Sequence, residues 1–511
     1  MIRWNIWTAM GSVITGTAAL LTIGELPGDS VARPVIAGAA ALVILALLFA
    51  PGDMTIFDRY RRRRSFARPR RFMALLYSTH RCGTTWDRGN TSMFIAVRPL
   101  PFHVSVVGDG ETGVESRQLP LGLIRDHLNQ GDVNLAGIRV LASGYRSHHE
   151  SPYGQAYTSL RGETAMPDTL TTVAEVRVNL AKSYQSVLAR ATNGSIPTGV
   201  GNAAKIVSAR LEWQLNLEGF SAKVLKPNEI LQFHDAMLEP MNDGFRDERW
   251  TYLGGPVPTV TAQPTEWNEL AVERWLGVPA DRMSYAVDIT NDRHQQTSVG
   301  MTFAYSYDQA AKMPARSLRL RPNDGAHGDH ATALLPLAQT VSAPAASLTV
   351  RKGADFPVAL PAFGLGVYLG PESGGSGRVF LNTETGGDVL WLETPEAFAH
   401  QIAARITTTG ARVGVFSQSP LWSDLARRVL GVLLSPAEPV DVAIYEGQPP
   451  SRVPASTAVL VWAPNGAPRG ATHRITADAE GVMTVVSRSS RVRFDWEAPP
   501  AEVPFIPSLG E

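Results

Sequence analysis

The chain has 511 residues, enough for two or three domains with a sizeable hydrophobic core. Its 47 lysine and arginine residues balance 47 aspartate and glutamate residues, so the formal net charge is zero and gives no general case for nucleic-acid binding. The single cysteine, Cys82, excludes an internal disulfide and a zinc site built from several cysteines, so nothing points to an oxidising compartment.

The first 51 residues carry few charges. Two uncharged stretches, 4–23 and 34–50, are separated by the sequence GELPGDSVAR. Because about 20 apolar residues cross a lipid bilayer, we predict a transmembrane hairpin over residues 1–51. Small residues in both stretches would let the two helices pack closely in lipid. The alternative is a signal peptide followed by one span, which the single early charge, Arg3, and the lack of a clear cleavage motif disfavour.

A basic juxtamembrane segment, 52–71, follows the hairpin and includes most of the run RYRRRRSFARPRRF. Cytoplasmic flanks of membrane spans are enriched in lysine and arginine. We therefore predict a protein of the plasma (inner) membrane whose termini and main body are cytoplasmic. The segment could contact anionic membrane lipid, contact an acidic partner surface, or act as a topology signal alone.

Residues 72–240 alternate strand and helix patterns. SMFIAVRP and TTVAEVRVNL predict strands, and GNAAKIVSARLEWQLNLEG predicts an amphipathic helix that ends at Gly219. The pattern predicts a cytoplasmic domain of the α/β or α+β class. Residues 241–345 contain the linker-like sequences GGPVPTVTAQP and SAPAAS, with strand candidates at MSYAVDIT and VGMTFAYSY, so we predict a loosely structured connecting region there.

The last part of the chain, 346–511, shows a clear alternation of strand and helix patterns. TPEAFAHQIAARITTTG and SPLWSDLARRVLGVLL each begin with a hydroxyl residue followed by proline, a typical helix start. Apolar strand patterns such as ARVGVFSQ, PVDVAIYEG and STAVLVWAP alternate with these helices. Alternation of this kind predicts a C-terminal α/β part with a mainly parallel sheet.

Several short motifs contain residue types that are found in binding or catalytic sites. GPESGGSGR, residues 370–378, is similar to a phosphate-binding loop but lacks its lysine and is followed by a strand, so we interpret it as a hairpin turn. HGDH, with His327, Asp329 and His330, offers metal-ligand types in what we predict to be a solvated loop. We interpret HHE, residues 148–150, in the same way.

Cys82 lies beside His80 and Arg81, which could favour its thiolate, although neighbours in sequence need not meet in space. No GxSxG, HExxH or DxD motif is present. We therefore predict no catalytic, cofactor-binding or metal-binding residues, and no cofactor.

The order of these features resembles EccE, the membrane component of mycobacterial type VII (ESX) secretion systems. The similar segments are GTTWDRGNTSMFIAVRP, LPLGLIRDHLNQGDVNLAGIRVLASGYR and GARVGVFSQSPLWSDL. In the second segment, the positions that fall into place are Leu128, Asp132, Leu135, Gly137, Ile138 and Gly144. The resemblance is diffuse between residues 241 and 345.

The resemblance implies a glycosyltransferase-like α/β body without an established activity. It also implies partners of the EccB, EccC ATPase and EccD types in an inner-membrane complex. The function expected from it is a non-enzymatic structural subunit whose spans pack against partner membrane subunits and whose cytosolic domain is exposed. The alternative is a membrane-anchored α/β enzyme of the glycosyltransferase or nucleotide-binding type at the inner leaflet.

Overall fold

A computed structural model describes most of the chain. The described residues are 6–27, 30–48, 75–79, 82–87, 89–108, 118–146, 151–162, 164, 166–245, 247–255, 257–291, 296–307, 319–337, 347–351, 354–454, 457–463, 466–488 and 490–509. The α-helices are α1 (Ile6–Glu25), α2 (Ala32–Leu48), α3 (Leu121–Asp126), α4 (Pro152–Arg161), α5 (Tyr184–Ala189), α6 (Ile196–Leu217), α7 (Pro227–Leu238), α8 (Glu269–Leu276), α9 (His327–Thr332), α10 (Glu396–Thr407) and α11 (Pro420–Arg428).

The strands form three sheets. In chain order they are β1 (Leu75–Thr79), β2 (Cys82–Asp87), β3 (Asn90–Arg98), β4 (Val104–Val107), β5 (Asn129–Gln130), β6 (Val133–Tyr145), β7 (Thr171–Asn179), β8 (Ser221–Val224), β9 (Thr259–Pro264), β10 (Arg282–Asn291), β11 (Thr297–Ser306), β12 (Leu320–Pro322), β13 (Ser347–Val350), β14 (Val367–Pro371), β15 (Arg378–Leu381), β16 (Val389–Glu393), β17 (Val413–Phe416), β18 (Val432–Leu434), β19 (Val442–Glu446), β20 (Ala458–Trp462), β21 (His473–Ala477), β22 (Val482–Val486) and β23 (Arg491–Asp495).

The first two helices, α1 and α2, pack against each other as a hairpin. Among the helices in the described part of the chain, none combines the length and the apolar composition that a membrane crossing requires. The predicted two-span transmembrane hairpin is therefore wrong. α2 has 17 residues and carries Arg33 in its first turn, whereas about 20 apolar residues are needed. α1 is long enough but contains five serine or threonine residues and ends at Glu25. The sequence prediction rested on the lack of charge and gave these hydroxyl groups too little weight.

The predicted orientation depended on those spans. The arginine-rich segment 52–71, on which it also depended, lies outside the described residues.

The largest sheet is antiparallel at every strand pair described. Its main path runs β1-β2-β3-β7-β6-β10-β11-β9-β12, with β5, β8 and β13 paired to β6, β3 and β11. Helices and strands are both present in this part of the chain, and its strand pairing is antiparallel. Parallel strands require a long crossover connection, whereas antiparallel neighbours need only a short one. The central pair β10 and β11 is separated by residues 292–296, too few for a crossover helix.

The region 241–345 differs from the predicted loosely structured connection. It supplies β9, β10, β11 and β12 to the largest sheet, together with α8 and α9. Tyr285, Phe303 and Tyr305 on its strands are fully buried. The glycine- and proline-rich sequence that indicated a linker contains β9 itself, and pairing with β11 outweighs the local breaker residues.

The two faces of the largest sheet pack on different layers. Met93 and Ile95 of β3 belong to the main core, which also contains Leu211 of α6. Phe94, on the opposite face of the same strand, packs in a second cluster with Ile230 of α7. This alternation follows from the two-residue period of a strand, and it explains why β3 is apolar along nearly its whole length.

The C-terminal sheet has the order β18-β17-β19-β20-β16-β21-β22-β23. Along this order, each neighbouring pair from β18 through β17, β19, β20 and β16 to β21 is parallel. β22 and β23 continue the sheet in antiparallel pairs. The helix α10 connects β16 to β17, and α11 connects β17 to β18. Parallel pairing therefore brings the carboxyl ends of β16, β17, β19 and β20 to one edge of the sheet.

A small third sheet, β14-β15-β4, joins distant parts of the chain. Val104 of β4 pairs with Leu381 of β15, and the main hydrophobic core is continuous from Met93 to Ile506. The antiparallel and parallel sheets thus share one interior.

Candidate functional site

The carboxyl edge of the parallel sheet contains a small crevice. In open α/β sheets, ligands bind outside the carboxyl ends of the parallel strands. Here β17, β19 and β20 end side by side, and the first turn of α11 lies beside them. The crevice has no room for a water molecule and is lined by Val415, Ser417, Trp422, Ile444, Tyr445, Glu446 and Trp462.

The strand register brings the polar residues of the crevice together. Glu446 of β19 pairs with Trp462 of β20, and Ser417 follows directly after β17. The Ser417 hydroxyl donates a hydrogen bond of 2.5 Å to Glu446 Oε2. Below this row, Val415 and Ile444 are buried in the main core. The crevice therefore has an apolar floor and a carboxylate at its rim.

Two tryptophans form the walls. Trp462 is held in place because its Nε1–H donates to the Thr394 carbonyl oxygen at 3.0 Å. Trp422, in the first turn of α11, is 1% exposed. Its buried indole N–H has no hydrogen-bond acceptor among the described residues. Ser417 also anchors this helix start, since its hydroxyl oxygen accepts from the Ser419 N–H at 3.0 Å.

A buried histidine lies behind the crevice. His400 of α10 packs edge-on against Trp422, with ring centroids 4.1 Å apart. Its Nδ1 is 2.7 Å from Ser508 Oγ, and its Nε2 is 3.5 Å from Glu396 Oε1. Burial lowers the pKa of His400 to about 4, so the imidazole is neutral near pH 7. It fastens the C-terminal segment to α10.

The serine hydroxyls of the crevice do not form a serine–histidine pair. Ser417 donates to Glu446, and Ser419 donates to Glu396 Oε1 at 3.1 Å. Within the described residues, each hydroxyl is thus engaged with a carboxylate, and neither is hydrogen-bonded to a histidine.

The carboxyl edge of the parallel sheet carries several acidic side chains. Glu393, Glu396 and Glu446 lie at or just beyond the ends of their strands, and in the described part of the chain none of them forms a salt bridge with lysine or arginine. A carboxylate beside aromatic rings is the environment that favours a bound cation.

The structure places the sequence-predicted motifs elsewhere. The stretch 370–378 connects β14 and β15, and the Glu372 N–H donates to the Gly377 carbonyl at 2.7 Å. The interpretation as a hairpin turn is confirmed.

The HGDH motif is not a solvated loop, so that prediction is wrong. It forms α9, in which His327 is fully buried and His330 is 2% exposed. His327 Nδ1 accepts from the Thr261 backbone N–H at 3.1 Å, and His330 Nδ1 lies 3.2 Å from Gln263 Nε2. These histidines hold α9 against β9 on the second face of the largest sheet, where Ala331 of α9 joins the second hydrophobic cluster. No group of three potential metal ligands occurs within the described ranges.

The remaining motif residues are only partly described. Cys82 opens β2 and is half-buried, whereas His80, Arg81 and the HHE motif at 148–150 lie outside the described residues. The hypothesis of a reactive thiol at Cys82 therefore stays a prediction.

Sequence reasoning did not identify Ser417, Glu446 or Trp462, although it predicted the strands that carry them. The available signal was a polar residue at the end of each apolar strand run. Which strands are neighbours, and in what register, follows from the sheet order and not from any local pattern. No protein-family model matches the chain, and a search of curated proteins finds no similar sequence.

Proposed function

We propose that the chain is a non-enzymatic structural subunit of a type VII (ESX) protein-secretion complex. In this proposal, partner subunits of the EccB, EccC ATPase and EccD types hold it at the inner membrane. The sequence resemblance to EccE supplies the identity of the complex. The observation that carries the assembly role is the exposed apolar surface of the α1–α2 hairpin.

Many apolar side chains of the hairpin are exposed to solvent. Eight apolar side chains between 47% and 79% exposed are Val13, Ile14, Leu20, Leu21, Val31, Val35, Leu42 and Val43. No side chain whose burial is described in α1 or α2 is buried. Exposed apolar area costs about 25 cal/mol per Å² relative to burial, and contiguous patches of this kind mark interaction sites. A partner that covers the hairpin would remove this cost.

The alternative function, a nucleotide- or sugar-dependent enzyme, needs a larger site. Pockets for ligands of that size have volumes of roughly 300–1,000 Å³, whereas the crevice at the carboxyl edge has no room even for a water molecule. The lack of space at this edge favours the structural role over the enzymatic alternative.

The test is affinity purification of the full chain, tagged at its C-terminus, from the cells that make it, with the partners identified by mass spectrometry. We expect type VII secretion subunits to co-purify with the wild type. A quadruple variant, Val13→Gln with Leu20→Gln, Leu21→Gln and Leu42→Gln, should lose them.

A matched control places the same number of glutamines on exposed apolar positions of the body. Its positions are Leu188, Leu217, Leu270 and Leu430, which are 40–77% exposed. The control should retain the partners. If no secretion subunit co-purifies with the wild type, the assignment to this complex is wrong; if the hairpin variant retains them, the hairpin is not the contact.

A further inference from the structure

We propose that the outward-facing side of α6 pairs with the same side of α6 in a second copy of this chain, and that the two helices run antiparallel. This inference goes beyond the proposed function and does not depend on it, because α6 belongs to the body and not to the α1–α2 hairpin.

The helix α6 is apolar on two sides. On its inner side, Leu211 and Leu215 are fully buried in the main core. On its outer side, Ile206, Trp213 and Leu217 are 37%, 62% and 66% exposed. A surface helix of a globular protein is typically apolar toward the core and polar toward solvent. The apolar residues on the outer side therefore indicate a contact surface.

The outer residues form one continuous row. Residues three, four or seven apart lie on the same side of a helix, so Ile206, Ala209, Trp213 and Leu217 make a stripe about 16 Å long. We call these four residues the outer stripe. Ala209 is exposed, and its small side chain leaves room for a second helix to approach. Tryptophan is among the residue types that contribute most to protein–protein binding.

The charges beside the outer stripe identify the second helix as another copy of α6. Lys205 and Glu212 lie on one flank of the stripe, seven residues apart. In the described part of the chain neither of them forms a salt bridge. When two identical helices pack antiparallel, the same flanks meet, so Lys205 of each copy faces Glu212 of the other. This twofold arrangement is self-complementary, as a symmetric dimer requires.

The other flank excludes a parallel pair. It carries Arg210, which is exposed. In a parallel pair of helices opposite flanks meet, which would bring Lys205 of one copy against Arg210 of the other. Like charges placed opposite each other destabilise an interface, so the charge pattern selects the antiparallel arrangement.

The size of the outer stripe sets the expected strength. One pair of short helices buries less than the roughly 800 Å² per partner of a standard interface. We therefore expect weak self-association, with a dissociation constant of about 10 µM or more. At the dilution of a cell extract, the pair would separate.

The first test is sedimentation equilibrium of the full chain in a density-matched non-ionic detergent, at concentrations from well below to well above about 10 µM. We expect the mass to rise from one chain to two. The hairpin variant with four glutamines is measured beside the wild type and should associate equally, because the hairpin is not part of this contact.

The decisive test exchanges the charges. Lys205→Glu alone and Glu212→Lys alone each place like charges opposite each other twice, and each should weaken self-association at least about tenfold. An equimolar mixture of the two variants restores both opposite-charge pairs, so the mixture should associate as the wild type does.

A second pair of variants tests the stripe itself. Trp213→Ser should weaken self-association at least about tenfold. Leu270→Ser is the control, since Leu270 of α8 is also 66% exposed but lies outside the outer stripe, and it should leave the association unchanged. Each variant is first compared with the wild type by thermal unfolding.

Four outcomes would overturn the proposal. They are a mass of one chain over the whole range, loss of association in the hairpin variant, no gain when the two charge variants are mixed, and equal losses for Trp213→Ser and Leu270→Ser. The first of these would mean that a different protein or lipid covers the outer stripe.

Discussion

At the scale of single residues, the most closely connected group is a buried ion pair that fastens the C-terminal segment. Glu502 is fully buried. It accepts from Arg405 Nε at 2.9 Å, from Arg405 Nη2 at 2.8 Å and from the Tyr153 hydroxyl at 2.7 Å. Arg405 Nη1 also donates to the backbone carbonyls of Tyr368 and Leu369. One carboxylate therefore connects α4, α10 and the last residues described.

We predict that Glu502→Gln lowers the free energy of unfolding by about 3–5 kcal/mol, because it leaves the Arg405 charge buried without a counterion. Urea denaturation measures the loss. Glu438→Gln removes the exposed pair with Arg412 and should cost at most about 1 kcal/mol. Similar losses for the two variants would contradict the interpretation of Glu502 as a buried clamp.

His400 gives a prediction about pH. Burial lowers its pKa to about 4, whereas an unfolded histidine has a pKa of about 6.5. Between these values the unfolded state binds more protons, so this group makes the free energy of unfolding fall as the pH falls from 6.5 to 4. The contribution at pH 7 is on the order of 3 kcal/mol.

His400→Gln removes this titration. The difference in stability between wild type and variant should shrink as the pH falls through that window, and denaturant titrations at several pH values would measure it. A difference that stays constant from pH 7 to pH 4 would mean that His400 titrates alike in both states. Asp168 gives the opposite trend with pH, because burial raises its pKa to about 7. Since Asp168 is present in both proteins, its contribution cancels when the stabilities of wild type and variant are compared.

At the scale of elements, the local sequence predicted a helix or strand correctly where the spacing of its apolar residues agreed with the face that is buried. TTVAEVRVNL forms β7, and the long amphipathic pattern that ends at Gly219 forms α6. It failed at β9, which lies within GGPVPTVTAQP, because glycine and proline near a strand indicate a breaker while pairing with a distant strand decides the structure. The crevice could not be predicted, since Glu446 and Trp462 meet only through the order of β19 and β20.

The β14–β15 hairpin supplies a prediction about one glycine. Gly366, directly before β14, has φ +88°, and an added Cβ would collide with the Leu381 carbonyl oxygen. Gly387 has a similar positive φ, +106°, but its Cβ would meet nothing within 4 Å. We expect Gly387→Ala to cost about 1–2 kcal/mol for the left-handed backbone alone.

Gly366→Ala should cost more than that, because the backbone of β15 would also have to move. Thermal unfolding of both variants under the same conditions makes the comparison. If Gly366→Ala were the milder change, the close approach of the two strands would not be a feature of the protein in solution.

At the scale of the whole molecule, the parallel sheet depends on the antiparallel part. β15 pairs with β4, the Asn382 N–H donates to the His103 carbonyl at 2.8 Å, and Thr385 Oγ1 donates to the Pro99 carbonyl at 3.1 Å. We therefore predict that residues 346–511 expressed alone give no cooperative thermal transition by circular dichroism. A sharp transition near the melting temperature of the full chain would show that the C-terminal part folds by itself.

The central claim is that the chain works as a subunit whose exposed α1–α2 hairpin is covered by a partner. The most direct measurement is the native mass of the chain in gentle extracts of the cells that make it, resolved on a native gel and detected with an antibody. The account predicts that the wild type migrates in a complex far above its own 55.2 kDa. The hairpin variant with four glutamines should migrate near the mass of the single chain. Migration of the wild type as a single chain, or of both forms in the same complex, would contradict it.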